Sequence, residues 1–195
     1  MTDSATDEDE LRAVVLDSLP NGRPDDDRPQ YERPAVAYAV GEGDFRLYEL
    51  ELVDDADVSI GDRVVVRPAE ERAAVGRFRE TSYEDLTNAA RSEIEYVVEE
   101  IVDRNEERFV EFYTEADPIS LRLHQLDLLP GVGDKIRNNI LDARKRGRFE
   151  SFADVEERVS GLHDPRGVLV ERILSEFRDD DLKYRLFVRP GRTDE

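Results

Sequence analysis

Gly131 and Gly133 stand between a proline and the start of a helix, and their type and spacing point to a definite chemistry. The run is Leu126-Asp-Leu-Leu-Pro-Gly-Val-Gly-Asp-Lys-Ile-Arg-Asn-Asn-Ile-Leu-Asp-Ala-Arg144. Glycines here let the chain turn sharply through positive φ and leave no side chain between backbone and ligand. Val132 is expected to point inward and pin the turn to a core. The N–H groups of Gly131 and Gly133 then converge with the N-terminus of the following helix, where hydrogen bonds and the helix dipole favour a phosphate oxygen. Lys135, in the first helical turn, adds a cation, although Asp134 places a negative charge beside it. Each charge-assisted hydrogen bond is worth about 1.5–3 kcal/mol net, so a binder needs a further contact surface.

Local charge points the same way. Residues 134–148 hold Lys135, Arg137, Arg144, Lys145, Arg146 and Arg148 against Asp134 and Asp142, a local balance of +4 in a chain of net charge −20. The candidate nucleic-acid-binding residues are therefore Pro130, Gly131, Val132, Gly133, Lys135, Arg137, Arg144, Lys145, Arg146 and Arg148. The competing reading pairs these arginines with surface carboxylates. A second basic stretch follows at Lys183, Arg185, Arg189 and Arg192.

Catalysis is not expected. The histidines are His124 and His163. His124 lies three residues before Asp127, and a metal site there would need a further ligand that the spacing does not offer. It reads as a satisfied structural side chain. Carboxylate pairs carry no signal among 48 acidic residues. Asp154 sits downstream of the hairpin much as the catalytic Asp of DNA glycosylases does, but the large helical domain of those enzymes is missing. No cysteine exists to form a disulfide, a thiolate metal site or a nucleophile. The expectation is a binding protein with no cofactor and no metal.

The acidity needs its own account. Of the 28 basic residues three are lysines (Lys135, Lys145, Lys183), which leaves 25 arginines. Acid-rich, lysine-poor surfaces suit proteins hydrated in molar salt. At about 1 M salt the Debye length is roughly 3 Å, so distant charge does not repel a polyanion. Counterion-release binding weakens as well, and short contacts such as backbone N–H to phosphate must carry affinity. No apolar run approaches the roughly 20 residues of a membrane span. The first ten residues are acidic, unlike a signal peptide. A cytoplasmic protein with no membrane partner is expected.

These residues need elements to hold them. Residues 1–10 are expected to be a disordered acidic tail. Strands are expected within 12–19, 35–40, 45–53, 63–67 and 75–81, separated by Gly and Pro turns, and together they predict a small OB-like β-barrel over 11–83. The exposed aromatics of such a barrel can stack bases, here Tyr31, Tyr38, Phe45, Tyr48 and Phe78, although these residues more often fill the core. After Tyr83 the apolar period shifts to three and four, predicting an amphipathic helix over 84–113 or two in series broken near Asn105. The helical domain extends over 84–182. Asp117-Pro118 predicts a helix over 119–128 that leads into the hairpin, followed by a helix over 134–145. A short helix from Ser151 and another from Asp164-Pro165 flank Ser160-Gly-Leu-His-Asp-Pro165, a degenerate second hairpin over 151–177 expected to contribute packing. The segment 183–188 alternates like a final strand. The fold class is α+β, an N-terminal barrel followed by an all-α domain.

The hairpin run resembles the helix-hairpin-helix pattern, over 119–146. The whole chain from about 11 to 190 resembles an archaeal family of domains of unknown function, family 655, described as RNA-binding proteins. The stretches that carry the resemblance are Leu16-Asp-Ser-Leu-Pro-Asn-Gly22, Tyr83-Glu-Asp-Leu-Thr87, Arg108-Phe-Val-Glu-Phe112, Arg122-Leu-His-Gln-Leu-Asp-Leu-Leu-Pro-Gly131 and Lys183-Tyr-Arg-Leu-Phe187. The resemblance implies an OB-like barrel joined to a helix-hairpin-helix domain and favours RNA over DNA. The alternative is a protein-interaction module that docks on a ribosomal or transcription assembly.

Overall fold

The computed structural model describes residues 10–189, so the expected acidic tail lies almost wholly outside the described residues, as does Arg192. The fold is mixed α+β, with a five-stranded antiparallel sheet and five α-helices among the described residues. Two compact units divide the chain: one holds residues up to Val97 together with those from Phe187, and the other holds Val98–Leu186.

The first unit is built on β1 (Leu11–Leu19), β2 (Val36–Gly41), β3 (Leu47–Leu52), β4 (Arg63–Arg67) and β5 (Val75–Thr81). The strand order is β4-β1-β2-β3-β5, so β4 and β5 are edges. The register slips between Val15 and Asp17 against β2 and between Leu11 and Arg12 against β4. Such bulges raise local twist and bend a strand, which curls the sheet into a half-barrel. Leu11, Ala13, Val15, Ala37, Ala39, Tyr48, Leu50, Val64 and Val66 form one apolar cluster, with Phe78 packed against it. The alternate residues Val14, Val36, Tyr38 and Val40 are buried as well, so β2 is covered on both faces.

α1 (Asn88–Arg104) straddles the division between the units. Ala90, Ile94 and Val97 of α1 are buried, and the first unit includes them. Thr87, just before α1, donates its hydroxyl to Asp17 of β1 at 2.6 Å.

The second unit continues through α2 (Glu106–Glu115), α3 (Asp134–Arg144), α4 (Phe152–Arg158) and α5 (Pro165–Arg178). Asn105 separates α1 from α2, where the sequence places the break. Phe109, Tyr113, Leu126, Ile140, Val155, Leu169 and Ile173 fill the unit's interior. The Tyr113 hydroxyl donates to the Pro165 carbonyl at 2.6 Å.

Two expected elements are corrected. Residues 119–128 do not form an α-helix. Pro118 and His124 form an isolated antiparallel bridge, and a 3₁₀ turn covers Gln125–Leu128. Ile119, Leu121 and Leu123 alternate at a spacing of two, which no helix can bury along one face. The segment 183–188 is not a strand either. Side chains take its polar backbone: Arg172 donates to the Tyr184 carbonyl at 2.6 Å, and the Leu186 N–H donates to Glu176 Oε1 at 2.7 Å.

Candidate nucleic-acid interface at the hairpin

The hairpin is a tight turn closed by the Val132 N–H donating to the Leu129 carbonyl at 3.2 Å. Pro130 takes its second position, and Gly131, at φ 73, takes its third. That is the residue signature of a type II turn, whose third position requires positive φ. Gly133 differs from expectation: its φ of −94 and ψ of −178 are extended, and no left-handed turn depends on it. Its value is the missing side chain. A Cβ at Gly131 or Gly133 would meet nothing within 4 Å, so both glycines face open space. Val132 is buried, as the sequence predicts.

Gly133 is the N-cap of α3 and supplies no side-chain cap. The first hydrogen bond into the helix runs from the Arg137 N–H to the Gly133 carbonyl at 2.9 Å. The N–H groups of Asp134, Lys135 and Ile136 precede it and lack helical acceptors. Among the described residues the N–H groups of Gly131 and Gly133 have no internal acceptor either. An exposed helix end of this kind attracts an anion.

A second turn repeats this geometry and closes it. The Leu162 N–H donates to the Val159 carbonyl at 3.3 Å, Gly161 takes φ 87, and Leu162 is buried like Val132. From there the two diverge. Asp164 caps α5, accepting from the Gly167 N–H at 2.9 Å, and Pro165 removes a further N–H. A Cβ on Gly161 would contact Ile136 of α3 at 3.5 Å, and Asn139 donates to the Ser160 carbonyl at 2.7 Å. The second turn is therefore packed against α3, and its helix carries a side-chain cap that α3 lacks.

The cationic candidates separate into two groups. The 11 residues of α3 span roughly 16 Å. Lys135 and Arg137 lie at its hairpin end, while Arg144, Lys145, Arg146 and Arg148 lie at or beyond the far end. Arg137 pairs with Asp127 at 2.8 Å and with Asp134 at 3.1 Å. Arg144 donates to the Ala116 carbonyl at 2.8 Å. Lys145 pairs with Asp142, and Arg148 pairs with Glu111 and Glu115. Among the described residues Lys135 and Arg146 are exposed and have no ion pair. The carboxylate-pairing reading thus holds for three of the six, while Arg144 is taken by a backbone carbonyl. Those pairs that are exposed contribute little each and can exchange partners. A groove of about 850 Å³ at the far end is lined by Arg146, Arg148 and Arg158, but also by Glu107, Glu111 and Glu150. That mixture makes the hairpin end the better place for an anion.

His124 is a structural cap. Its Nδ1 accepts from the Leu126 N–H at 3.1 Å, while Asp127 accepts from the His124 N–H at 2.8 Å. Burial, followed by the nearby Arg144, pushes its pKa below the ordinary value of 6.5, so the neutral ring is favoured. The role of Asp127, joining this cap to Arg137, carries no sequence signal beyond its spacing from His124. Asp154 accepts from the Glu150 N–H and from Arg158, the first of which chiefly lowers its pKa, and it is engaged structurally. No group of three or more His, Asp or Glu side chains among the described residues is arranged to hold a metal. Of the five aromatics named for stacking, Tyr38, Phe45 and Tyr48 are buried, Phe78 packs on the sheet cluster, and Tyr31 is exposed.

Residues 9–189 match the family described as protein of unknown function, DUF655. The chain belongs to the DUF655 family. Within it, the uncharacterized protein MJ0038 of Methanocaldococcus jannaschii is 39% identical over 179 residues, covering 91% of this chain and 79% of that protein. The crystal structure of the DUF655 protein Af1531 from Archaeoglobus fulgidus superposes with a TM-score of 0.82 at 41% identity, covering 92% of this chain and all of that one. The DUF655 fold thus includes the curled sheet and the helices that hold the hairpin. No helix among the described residues is long and apolar enough to cross a membrane.

Proposed function

We propose that this DUF655 protein is a non-catalytic nucleic-acid-binding protein, with RNA favoured over DNA, working in the cytoplasm of a salt-adapted archaeon. A unit of the helix-hairpin-helix kind, with the 3₁₀ turn Gln125–Leu128 in place of its first helix, grips phosphate through the N–H groups at the start of α3, and an OB-like half-barrel accompanies it. The observation that carries this reading is the contrast between the two turns. They share a hydrogen bond, a positive-φ glycine and a buried apolar residue, yet only the α5 turn caps its helix with its own carboxylate. The α3 turn leaves its donors open beneath two glycines that face empty space. Lys135, exposed and without an ion pair among the described residues, supplies the neighbouring cation.

Backbone donors suit an acidic protein in concentrated salt. Their contact with phosphate is short, and screening over a few ångström leaves it largely intact. The test is fluorescence anisotropy of labelled single-stranded RNA, hairpin RNA and duplex DNA in about 2 M KCl, where counterion release contributes little. Wild type is compared with Gly131→Glu/Gly133→Glu after circular dichroism shows the variant folded. The reading expects wild type to bind one class and the variant to lose it. If wild type binds none of the three, the reading is wrong and the hairpin is scaffolding for a ribosomal or transcription partner.

A further inference from the structure

Leu121 stands fully in water at the tip of the loop after α2, with a relative exposure of 106%. Single exposed apolar residues are common and by themselves mean little. This one is held in place. The Ile119 and Ser120 N–H groups both donate to the Leu123 carbonyl, at 2.8 and 3.0 Å, and the Arg122 N–H donates to Ser120 Oγ at 3.3 Å. At the base, the Asp117 N–H donates to Gln125 Oε1 at 2.7 Å, and the Gln125 N–H donates to the Asp117 carbonyl at 3.0 Å. The backbone is fixed so that the leucine side chain touches no core.

Arg122, beside it, is exposed and has no ion pair among the described residues, although acids outnumber bases 48 to 28 in this chain. Only the 3₁₀ turn Gln125–Leu128 separates the loop from the glycine hairpin, a rise of roughly 8 Å. A fixed apolar tip thus stands next to an unpaired cation, in the loop that leads through the 3₁₀ turn to an open set of backbone donors. The charge selects an anionic ligand, and the leucine selects one with an apolar face next to that charge. A nucleic acid with an unstacked base offers both together. A continuous duplex hides its base faces.

Building on the phosphate reading, we infer that Leu121 and Arg122 form a wedge that seats against an exposed base while the hairpin holds a neighbouring phosphate. The preferred substrate class is then RNA with a bulge or an open loop rather than an uninterrupted duplex. Apolar side chains placed against base steps act in this way elsewhere, and RNA-specific proteins mostly address unpaired bases.

Three RNAs test the wedge: an uninterrupted duplex, the same duplex carrying one bulged 2-aminopurine, and the corresponding single strand. Leu121→Ser and Arg122→Gln alter only exposed side chains, so both variants keep the wild-type fold. The wedge predicts that Leu121→Ser weakens binding to the bulged RNA by about tenfold, the scale of one lost base contact. It also predicts that this variant loses the 2-aminopurine fluorescence change and binds the uninterrupted duplex as wild type does. If Leu121→Ser matches wild type on all three RNAs while Gly131→Glu/Gly133→Glu loses binding, the wedge is wrong and the phosphate site stands. If wild type binds none of them, both fail. Leucine-dependent capture of a Glu-rich amphipathic peptide in the absence of RNA binding would overturn the wedge in favour of a protein ligand.

Discussion

At the residue scale, the two hairpin glycines do different work and their substitutions separate it. Gly131 sits at φ 73 in open space, so Gly131→Ala meets no clash and costs backbone strain alone, about 1 kcal/mol. Gly133 is already extended, so the lost N-cap preference for glycine over alanine and the reduced freedom of the unfolded chain offset each other, and Gly133→Ala changes stability by less than about 0.5 kcal/mol. Denaturant titration of both variants checks the difference. The motif made both glycines legible, but only the backbone shows that one is kept for its φ and the other for its missing side chain. His124 gives a second prediction. Its folded pKa is depressed by burial, so its contribution to stability is complete above the unfolded value and is lost as pH falls through about 6.5. Stability therefore drops as pH falls below about 6.5, and His124→Ala removes that drop together with about 1 kcal/mol of capping. An unchanged pH profile in the variant would mean that the ring is not the titrating group.

At the element scale, a buried ion pair anchors the approach to the hairpin. Arg172 and Glu176 of α5 pair at 2.8 Å with side-chain exposures of 9% and 0%. Arg172 also donates to the Leu128 carbonyl, next to the hairpin, and to the Tyr184 carbonyl. Removing one partner strands a buried charge, so Arg172→Met is expected to destabilise the protein by about 3–5 kcal/mol, measurable by thermal or denaturant unfolding. This network also explains what the sequence hid. Lys183–Val188 alternates like a strand, but its partners are side chains on α5, and such long-range side-chain to backbone bonds leave no periodicity. Asp117-Pro118 and Asp164-Pro165 carry the same helix-start signal, yet only Asp164 caps a helix. The alternation of Ile119, Leu121 and Leu123 separates them and outweighs the dipeptide. β4 and β5 fall on the expected residues, although β5 alternates less regularly than the other strands, and the break between α1 and α2 falls at Asn105. The pairing of Arg137 with Asp127 and of Arg148 with Glu111 and Glu115 is open in the sequence, because a local excess of cations says nothing about carboxylates brought in from elsewhere in the chain.

At the scale of the whole molecule, a net charge of −20 on 195 residues must repel itself in dilute buffer. The melting temperature is expected to rise between about 0.2 and 2 M KCl as screening tightens, and a flat response would contradict the salt-adapted reading. The same charge makes any phosphate site depend on close donors, which returns the question to the start of α3. The most direct test is Gly133→Asp, which gives α3 the kind of carboxylate cap that Asp164 gives α5. The extended backbone at Gly133 suits an N-cap aspartate, so the variant should fold as stably as wild type. Its carboxylate would occupy the open donors and repel phosphate. The account predicts that Gly133→Asp, folded and unchanged in its unfolding midpoint, loses the RNA affinity of wild type in anisotropy titrations. RNA binding by that folded variant with wild-type affinity would contradict it.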